Sequence, residues 1–346
     1  MVTQTVKTSK LKRMDEELIL ALDDSRATLM AAGGKGASLA RLAANGLPVP
    51  GGFHVTTAAY RSFVAQNGLQ EPIMHALATV DVNQPASLKA TSDYIKELMN
   101  QAQLPDDIAY EIAQAYEELP GINPAVAVRS SATAEDLPEL SFAGQQETYL
   151  NIQGIAALLE MVRSCWASLW TDRAIAYRAR HGVDSERLSL AVVVQLMIPA
   201  EAAGILFTAN PLNGRHDQML INAAWGLGEA IVGGQVTPDT LTVDKATGRI
   251  LDRQVVDKRV MTVGLNGGIE TRPVPEAMRL SPVLGDNQVA ELARMGRKIE
   301  ALYECPVDVE WTLAAGRLSI VQARPITALP EPEAAPPEDW PLPEAK

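Results

Sequence analysis

Residues 126–152 place an arginine inside an apolar strand, and this feature constrains the fold more than any other in the chain. The segment opens with VAVRSS, in which small apolar residues precede Arg129. Alternation with a period of two predicts a β-strand, and TYLNI at 148–152 is expected to be its partner. A buried strand rarely carries a charge without a partner for it. The polar loop between the two strands, residues 132–147, is then placed to close over a ligand held by the arginine.

The remaining hydrophobic patterns predict a mixture of helices and strands without regular βαβ alternation. Helices are expected where apolar residues recur at helical spacing between caps and glycine stops: 37–43, 56–67, 85–118, 155–182 with a break near Trp170, and 287–304. Further strands are expected at 17–24, 188–198, 204–209, 219–224, a meander within 239–263, and a closing hairpin at 307–326. This order is typical of an α+β fold and not of a doubly wound sheet.

Composition narrows the class of protein. The chain has 346 residues and a formal net charge of −12, which argues against a nucleic-acid-binding surface. Its two cysteines, Cys165 and Cys305, form no CxxC pair, so they indicate no zinc site and suit a reducing compartment. No apolar run approaches the roughly 20 residues that a membrane-spanning helix needs. We therefore expect a cytoplasmic protein that binds neither nucleic acid nor a membrane.

Three regions are expected along the chain. Residues 1–13 are basic but lack the apolar stretch of a signal peptide, which predicts a short disordered lead-in. Residues 14–328 carry the strand and helix patterns and are expected to form the folded domain. Residues 329–346 are rich in proline and glutamate, which predicts an extended tail.

The closing hairpin gathers polar side chains on one face if its turn centres on Gly316. In such a hairpin, opposed residues have numbers that add to the same sum. This places Glu310 opposite Gln322 and Asp308 opposite Arg324. Directly opposed residues have Cβ atoms about 4.5–5.5 Å apart. Oxygen ligands of this kind suit Mg²⁺ bridged to phosphates, with arginine as the charge partner. The alternative is a solvent-facing edge held by an Asp–Arg pair.

Two basic residues are candidates for phosphate binding. Lys35 lies in GGKG, where glycines let backbone N–H groups approach an anion, although the same pattern is common in a plain turn. Arg129, at a strand end, is suited either to fork onto phosphate oxygens or to form a buried salt bridge. In the loop after it, Gly144 permits close backbone approach and Thr148 offers a hydroxyl, unless the loop is an ordinary mobile one.

Gln195 is an amide in the middle of the apolar strand AVVVQLM, where it needs a hydrogen-bond partner. It is suited to read a purine edge, or simply to bond a neighbouring strand. The histidines share no spacing typical of a metal site or of a nucleophile pair, so each is expected to be structural or exposed. They are His54, His75, His181 and His216.

Taken together, five long segments resemble the ATP-binding domain of the phosphoenolpyruvate-utilising dikinases, the family of phosphoenolpyruvate synthase, pyruvate phosphate dikinase and rifampicin phosphotransferase. The segments are GGKGASLARLAANGLPVPGGF, VRSSATAEDLPELSFAGQQETYLNI, ASLWTDRAIAYR, WGLGEAIVGGQVTPD and VDVEWTL…IVQARPIT. They run in the family's order from about residue 30 to 327. The resemblance implies an ATP-grasp-like fold, in which a smaller lobe (about 14–120) and a second lobe (about 121–328) clamp Mg-ATP.

The resemblance also implies roles for residues on the phosphate and base sides of the nucleotide. Lys35 and Arg129 match the family's phosphate-binding basic pair. Gly144 and Thr148 lie in the loop that covers the phosphates, and Gln195 matches the strand that meets the adenine.

On the metal side, Glu310 and Gln322 match the family's Mg²⁺ ligands. Asp308 and Arg324 match their charged neighbours, and Arg324 joins the basic pair as a catalytic residue. The implied activity is that of a phosphotransferase with paired acceptors, which passes the β-phosphate of ATP to a histidine on a separate swivelling domain. The phosphoryl group then goes to pyruvate or rifampicin, and catalysis rests on positioning and charge neutralisation.

Three functions stay open, because no histidine of this chain stands in a TCHAA-like phosphohistidine context. The first is a phosphoryl-donor module that works with a histidine-bearing domain and an acceptor-binding domain, in the same parent enzyme or a separate chain. The second is a complete small-molecule kinase, and the third is an ATP-binding sensor or interaction module without transfer. The missing histidine favours the first. The linker-like PPEDWPLP points to a parent that resembles phosphoenolpyruvate synthase or rifampicin phosphotransferase more than pyruvate phosphate dikinase.

Overall fold

The computed structural model describes residues 17–133, 147–234, 236–265 and 267–331. The predicted lead-in, Gly144 and the tail beyond residue 331 lie outside this part of the chain. The described residues form two compact units. Unit 1 takes the residues up to Glu201 together with Thr262–Arg272 and Thr312–Gln322, and unit 2 takes Ala202–Met261, Pro273–Trp311 and the residues from Ala323 onward.

Unit 1 is built on a five-stranded antiparallel sheet. Its spatial order is β1-β2-β5-β3-β4. The strands are β1 (Ile19–Ala21), β2 (Gly52–Val55), β3 (Val126–Ala132), β4 (Thr148–Ile152) and β5 (Leu190–Leu196). The predicted pairing of the arginine-bearing strand with TYLNI is confirmed, since Arg129 lies opposite Thr148.

Seven helices of unit 1 surround this sheet within the described residues. They are α1 (Leu29–Ala44), α2 (Thr57–Gln66), α3 (Gln70–Thr79), α4 (Pro85–Gln101), α5 (Asp106–Glu117), α6 (Ile155–Ser168) and α7 (Asp172–His181). The predicted break near Trp170 is confirmed between α6 and α7. α1 begins earlier than the predicted helix, because one helical turn precedes a kink at Gly33.

The two faces of the five-stranded sheet are covered differently. Val126 and Val128 of β3, with Val192 and Val194 of β5, point into the main hydrophobic core, where the helix residue Trp166 is also buried. Helix α1 packs against β3 and β5 on the opposite face. The alternation of β-strand side chains therefore sends the odd-numbered residues of β3 and β5 toward the side on which α1 lies.

Unit 2 contains most of a second, six-stranded sheet with the order β13-β12-β6-β7-β8-β9. The strands are β6 (Ala202–Phe207), β7 (Gln218–Trp225), β8 (Asp239–Asp244), β9 (Ile250–Gln254), β12 (Val307–Ala314) and β13 (Arg317–Pro325). The helices are α8 (Glu229–Val232), α9 (Glu276–Arg279) and α10 (Asp286–Tyr303). α10 buries its apolar stripe next to β6.

The predicted three-stranded meander is wrong for its third strand. β8 and β9 pair as expected, but β10 (Val260–Leu265) pairs with β11 (Gly268–Pro273) in a separate two-stranded sheet. The cause is an anchor between the strands: the buried Lys258 ammonium lies 2.6 Å from the buried Asp239 carboxylate at the start of β8. Separating the two would leave an uncompensated buried charge, so the segment after β9 stays at the start of β8.

The boundary between the two predicted lobes, at about residue 120, stays a prediction. Strands from both sides of residue 120 share the five-stranded sheet, because β5 pairs with both β2 and β3. Together with the six-stranded sheet and the helices, this arrangement confirms the α+β class. No helix within the described residues has the length and apolar character that crossing a membrane requires.

Candidate functional site

Three of the predicted site residues lie on one face of the five-stranded sheet. Arg129 on β3 is opposite Val193 on β5 and Thr148 on β4, so these three share a face. Gln195 follows Val193 by two residues and therefore points to the same side. This is the side on which α1 lies, and α1 carries Lys35.

The helix that carries Lys35 is kinked two residues before it, at Gly33. Gly33 has φ 70° and ψ 178°, which L-residues other than glycine rarely adopt. The Lys35 ammonium donates a hydrogen bond to the backbone carbonyl of Ser130 at 2.9 Å. The predicted glycine turn thus brings the lysine to the strand that bears Arg129, at the residue next to it.

Ser131 is a part of this arrangement that we did not predict. Its hydroxyl donates to the Ala32 carbonyl at 2.7 Å and accepts from the Gly36 N–H at 3.1 Å. A Cβ on Gly33 would lie 2.2 Å from the Ser131 carbonyl oxygen, so only glycine fits there. The sequence did hold a signal, because Ser131 follows Arg129 by two residues and must share its face.

Among the described residues, Arg129 is held by a backbone carbonyl. One terminal guanidinium nitrogen, Nη1, donates to the Val321 carbonyl at 3.0 Å, and the buried Nε has no hydrogen-bond partner. Within the described ranges no Asp or Glu lies at ion-pair distance from this guanidinium. The alternative of a buried salt bridge is therefore not observed there, and the arginine keeps capacity for an anion.

Gln195 is almost fully buried, and its side chain is hydrogen-bonded to the segment just before β2. Its amide nitrogen lies 3.4 Å from the carbonyl oxygen of Pro50, a long hydrogen bond. The simpler of the two alternatives, a bond to a neighbouring strand, therefore describes the amide nitrogen. Contact of Gln195 with a purine edge stays a prediction.

On the closing hairpin, Asp308 and Arg324 form the predicted pair. Arg324 Nε lies 3.0 and 2.9 Å from the two Asp308 carboxylate oxygens. Burial raises the pKa of Asp308, and the neighbouring Glu310 carboxylate adds to this, while the Arg324 guanidinium opposes both. The cation therefore offsets only part of the cost of burying this carboxylate.

The turn of the hairpin differs from the predicted one. Ala315 and Gly316 both have positive φ, 48° and 72°, as the two central residues of a type I′ turn do. A two-residue turn gives paired positions an index sum of 631, whereas Asp308 and Arg324 sum to 632. The backbone hydrogen bond from the Ile326 N–H to the Pro306 carbonyl also joins residue numbers that sum to 632, which indicates one extra residue on β13 after the turn. The buried positions on β13 agree, because they run Leu318, Ile320 and then Ala323.

Glu310 and Gln322 are both partly buried. Glu310 belongs to unit 2 and Gln322 to unit 1. In the part of the chain that the structure describes, neither side chain takes part in a hydrogen bond or ion pair. Their direct pairing stays a prediction, because the extra residue on β13 alters the simple register.

His54 lies on the same face of the five-stranded sheet as Arg129, because it is directly opposite Val193. It belongs to β2, is fully buried, and has Nε2 3.0 Å from the Leu22 carbonyl oxygen. Its Nδ1 has no hydrogen-bond partner, and burial lowers its pKa. These contacts give His54 a structural place in the sheet, as predicted for the histidines.

Comparison with known proteins identifies the family. Residues 29–340 match the family described as "Pyruvate phosphate dikinase, AMP/ATP-binding domain". The chain is 46% identical over 304 residues to a probable phosphoenolpyruvate synthase of Methanothermobacter thermautotrophicus, covering 87% of this chain and 44% of that protein. It is 42% identical over 322 residues to rifampicin phosphotransferase of Bacillus subtilis, covering 92% of this chain and 37% of that protein.

The chain therefore belongs to the family of pyruvate phosphate dikinase AMP/ATP-binding domains, and the resemblance stated from its motifs is confirmed. A phosphoenolpyruvate synthase of Pyrococcus furiosus is similar to the same extent, at 42% identity over 344 residues, with 86% of this chain and 42% of that protein covered. The chain thus spans less than half the length of the curated relatives it matches. Their names are those of phosphotransferases.

Proposed function

We propose that this chain binds Mg-ATP and serves as the phosphoryl donor of a dikinase. The single observation that carries the proposal is the cation pair on one sheet face of unit 1. Lys35 reaches the strand of Arg129 through the Ser130 carbonyl, and Arg129 is held by the Val321 carbonyl with its Nε unsatisfied. Two cationic side chains brought to neighbouring residues of one strand attract a polyanion such as a triphosphate.

The remaining residues of this face are assigned to the nucleotide by the same proposal. Thr148 lies opposite Arg129 and offers a hydroxyl to the phosphates, while Gln195 lies one row away and serves the base. Gly144 is assigned to the loop over the phosphates by the family resemblance alone.

Magnesium is proposed to be held by Glu310 and Gln322, beside the Asp308–Arg324 pair. These side chains supply the hard oxygen donors that magnesium prefers. Within the described residues no group of three or more His, Cys, Asp or Glu side chains forms a ready-made metal site. The donor set therefore fits an ion that takes its other ligands from phosphate oxygens and water. Such an ion would neutralise the phosphate charge during transfer.

The proposed reaction moves the β-phosphate of ATP to a histidine on a separate swivelling domain. Cleavage of the α–β bond releases AMP, and water cleaves the β–γ bond and releases the γ-phosphate as inorganic phosphate. The acceptor is then pyruvate or rifampicin, the compounds that appear in the names of this family's enzymes. In this chain the contribution to that chemistry is binding and orientation: Lys35, Arg129 and Arg324 hold phosphate oxygens and offset their charge.

A thermal-shift experiment tests the proposal. A ligand at about a hundred times its dissociation constant stabilises a protein by roughly 2.7 kcal/mol. We expect Mg-ATP to raise the melting temperature of this chain and Lys35→Ala to abolish most of the rise. Absence of any rise in the unchanged chain would contradict ATP binding.

Adding a histidine-bearing domain separates the three functions. The donor module forms AMP only when that domain is present, a small-molecule kinase forms product from the chain alone, and a sensor binds ATP without turnover in either case. Quantification of AMP by chromatography distinguishes these outcomes.

A further inference from the structure

The kink in helix α1 is spanned by a side chain from the sheet. In a regular α-helix the Gly36 N–H would bond the Ala32 carbonyl, four residues earlier. Here the left-handed Gly33 lies between the two, and the Ser131 hydroxyl accepts from Gly36 N–H and donates to Ala32 O. One hydroxyl therefore bridges the donor and the acceptor on the two sides of the kink. Insertion of a side chain into the helical ladder is a known cause of sharp kinks.

This hydroxyl belongs to the strand that carries the other phosphate-binding candidate. Ser131 follows Arg129 by two residues, so both point to the same side of the sheet. Lys35 lies between Gly33 and Gly36, inside the segment that the serine spans, and its ammonium bonds the carbonyl of the intervening Ser130. Three contacts thus tie the lysine segment to the two residues that follow Arg129.

We propose that Ser131 is a positioning residue that fixes Lys35 relative to Arg129, so that the two cations bind the phosphates of one nucleotide together. The inference rests on the proposed function and deepens it. Ser131 itself contacts neither substrate nor metal. Its hydroxyl acts by holding the kinked segment, and Gly33 is required because a Cβ there would lie 2.4 Å from that hydroxyl oxygen.

Buried serines elsewhere in unit 1 provide a matched control. Ser92 on α4 is also almost fully buried and donates one hydrogen bond, to the Trp170 carbonyl at 2.8 Å. It lies among the core helices on the other face of the sheet. Ser92→Ala removes a comparable buried hydrogen bond without touching the Lys35 segment, so it reports what a merely structural loss does.

The test compares ligands that differ only in their phosphates. Adenosine, AMP, ADP and ATP are titrated with magnesium, by calorimetry, into the unchanged chain, Ser131→Ala and Ser92→Ala. We expect Ser131→Ala to weaken ATP binding about tenfold, the equivalent of about 1.4 kcal/mol. Adenosine binding should stay within about twofold, because the base does not depend on the cation pair. Ser92→Ala should keep the full increase in affinity from adenosine to ATP.

A double-mutant cycle asks whether Ser131 acts through Lys35. In the Lys35→Ala background the Ser131→Ala change should have almost no further effect on ATP binding, because there is no ammonium left to position. Amide hydrogen exchange of the free chain gives an independent readout: Gly36 N–H should lose protection in Ser131→Ala and keep it in Ser92→Ala.

Each outcome decides one of the two claims. If the unchanged chain gains no affinity from adenosine to ATP, the proposed function fails and the positioning role fails with it. If that gain is present and Ser131→Ala retains it in full, only the positioning role is overturned. Equal loss of adenosine and ATP binding in Ser131→Ala, or additive effects with Lys35→Ala, would reduce the serine to a structural residue.

Discussion

Arg129 and Arg324, one in each compact unit, show two ways of holding a guanidinium. Arg324 is more than half exposed and bonds both oxygens of Asp308 through its Nε. Arg129 is partly buried, bonds a backbone carbonyl, and has a buried Nε without a partner. The first arginine is already neutralised by a carboxylate. The second has no carboxylate partner among the described residues and keeps an unsatisfied Nε donor.

An incoming anion should gain more free energy at Arg129 than at Arg324. A phosphate that meets Arg129 satisfies a buried donor and meets no competing carboxylate in the described part of the chain. A phosphate that meets Arg324 competes with Asp308 for the same cation. Hydrogen bonds to charged groups contribute about 1.5–3 kcal/mol, but only the net change counts when an existing partner is displaced.

The largest expected effect is on nucleotide affinity. Arg129→Ala should weaken Mg-ATP binding by about 2–3 kcal/mol, or roughly 30- to 150-fold, because a charge partner of the phosphates is lost. Arg324→Ala should cost less than about tenfold in binding, since this arginine already has a partner. Calorimetric titration of both variants measures the difference in ATP affinity. Arg129→Lys is the control, because it keeps the positive charge and loses the planar set of guanidinium N–H donors. Equal losses of affinity in the two alanine variants would show that the Asp308 partner of Arg324 makes no difference to phosphate binding.

Much of the fold was predictable because its signals are local. Alternation in VAVRSS and TYLNI predicted β3, β4 and their pairing, and helical spacing with a stop near Trp170 predicted α6 and α7. The α+β class followed from the order of these elements. The Asp308–Arg324 pair was predicted by assuming a turn centred on Gly316. The turn is one position different, but the extra residue on β13 brings the same two residues together.

The features that escaped prediction depend on contacts between distant segments. The third meander strand leaves its expected place because Lys258 is drawn to Asp239. The kink at Gly33 is visible as a glycine in the sequence, but its bridging by Ser131, almost a hundred residues away, is not. The roles of Lys35 and Gln195 were implied by family resemblance and not by periodicity, which says nothing about what a side chain binds.

Glu310 on the hairpin is a proposed magnesium ligand, and its removal tests that site. Glu310→Ala should raise the magnesium concentration needed for half-maximal ATP binding by about tenfold, or about 1.4 kcal/mol, because a hard oxygen ligand is removed. Titration of magnesium at fixed ATP measures this, and Glu304→Ala, a glutamate just after α10, is a control of equal charge change. An unaltered magnesium requirement in Glu310→Ala would remove this residue from the proposed metal site.

His54 in unit 1 and Asp308 in unit 2 should contribute to stability with opposite dependence on pH. Burial lowers its pKa in the folded chain, against weaker opposing effects of the Leu22 carbonyl and the Asp24 carboxylate. Its contribution to stability is complete above the unfolded pKa of about 6.5 and is lost as pH falls below that value. For one proton, the free energy of unfolding cannot change by more than about 1.4 kcal/mol per pH unit. Denaturant unfolding between pH 7.5 and 5 should show a loss that His54→Gln reduces; an identical slope in the variant would contradict this.

Asp308 should give the smallest effect, with the opposite sign. Its pKa is raised in the folded chain by burial and by Glu310, so its contribution to stability is present at low pH and is lost as pH rises from about 3.8 through the folded value. Arg324→Ala removes the cation that opposes this rise, and we expect the Asp308 pKa to increase further. Carboxyl NMR titration measures it directly, with Arg317→Ala, an exposed arginine near the turn, as control. A fall in the Asp308 pKa would show that Arg324 does not neutralise this carboxylate. The contrast with the carbonyl-held Arg129 would then lose its basis.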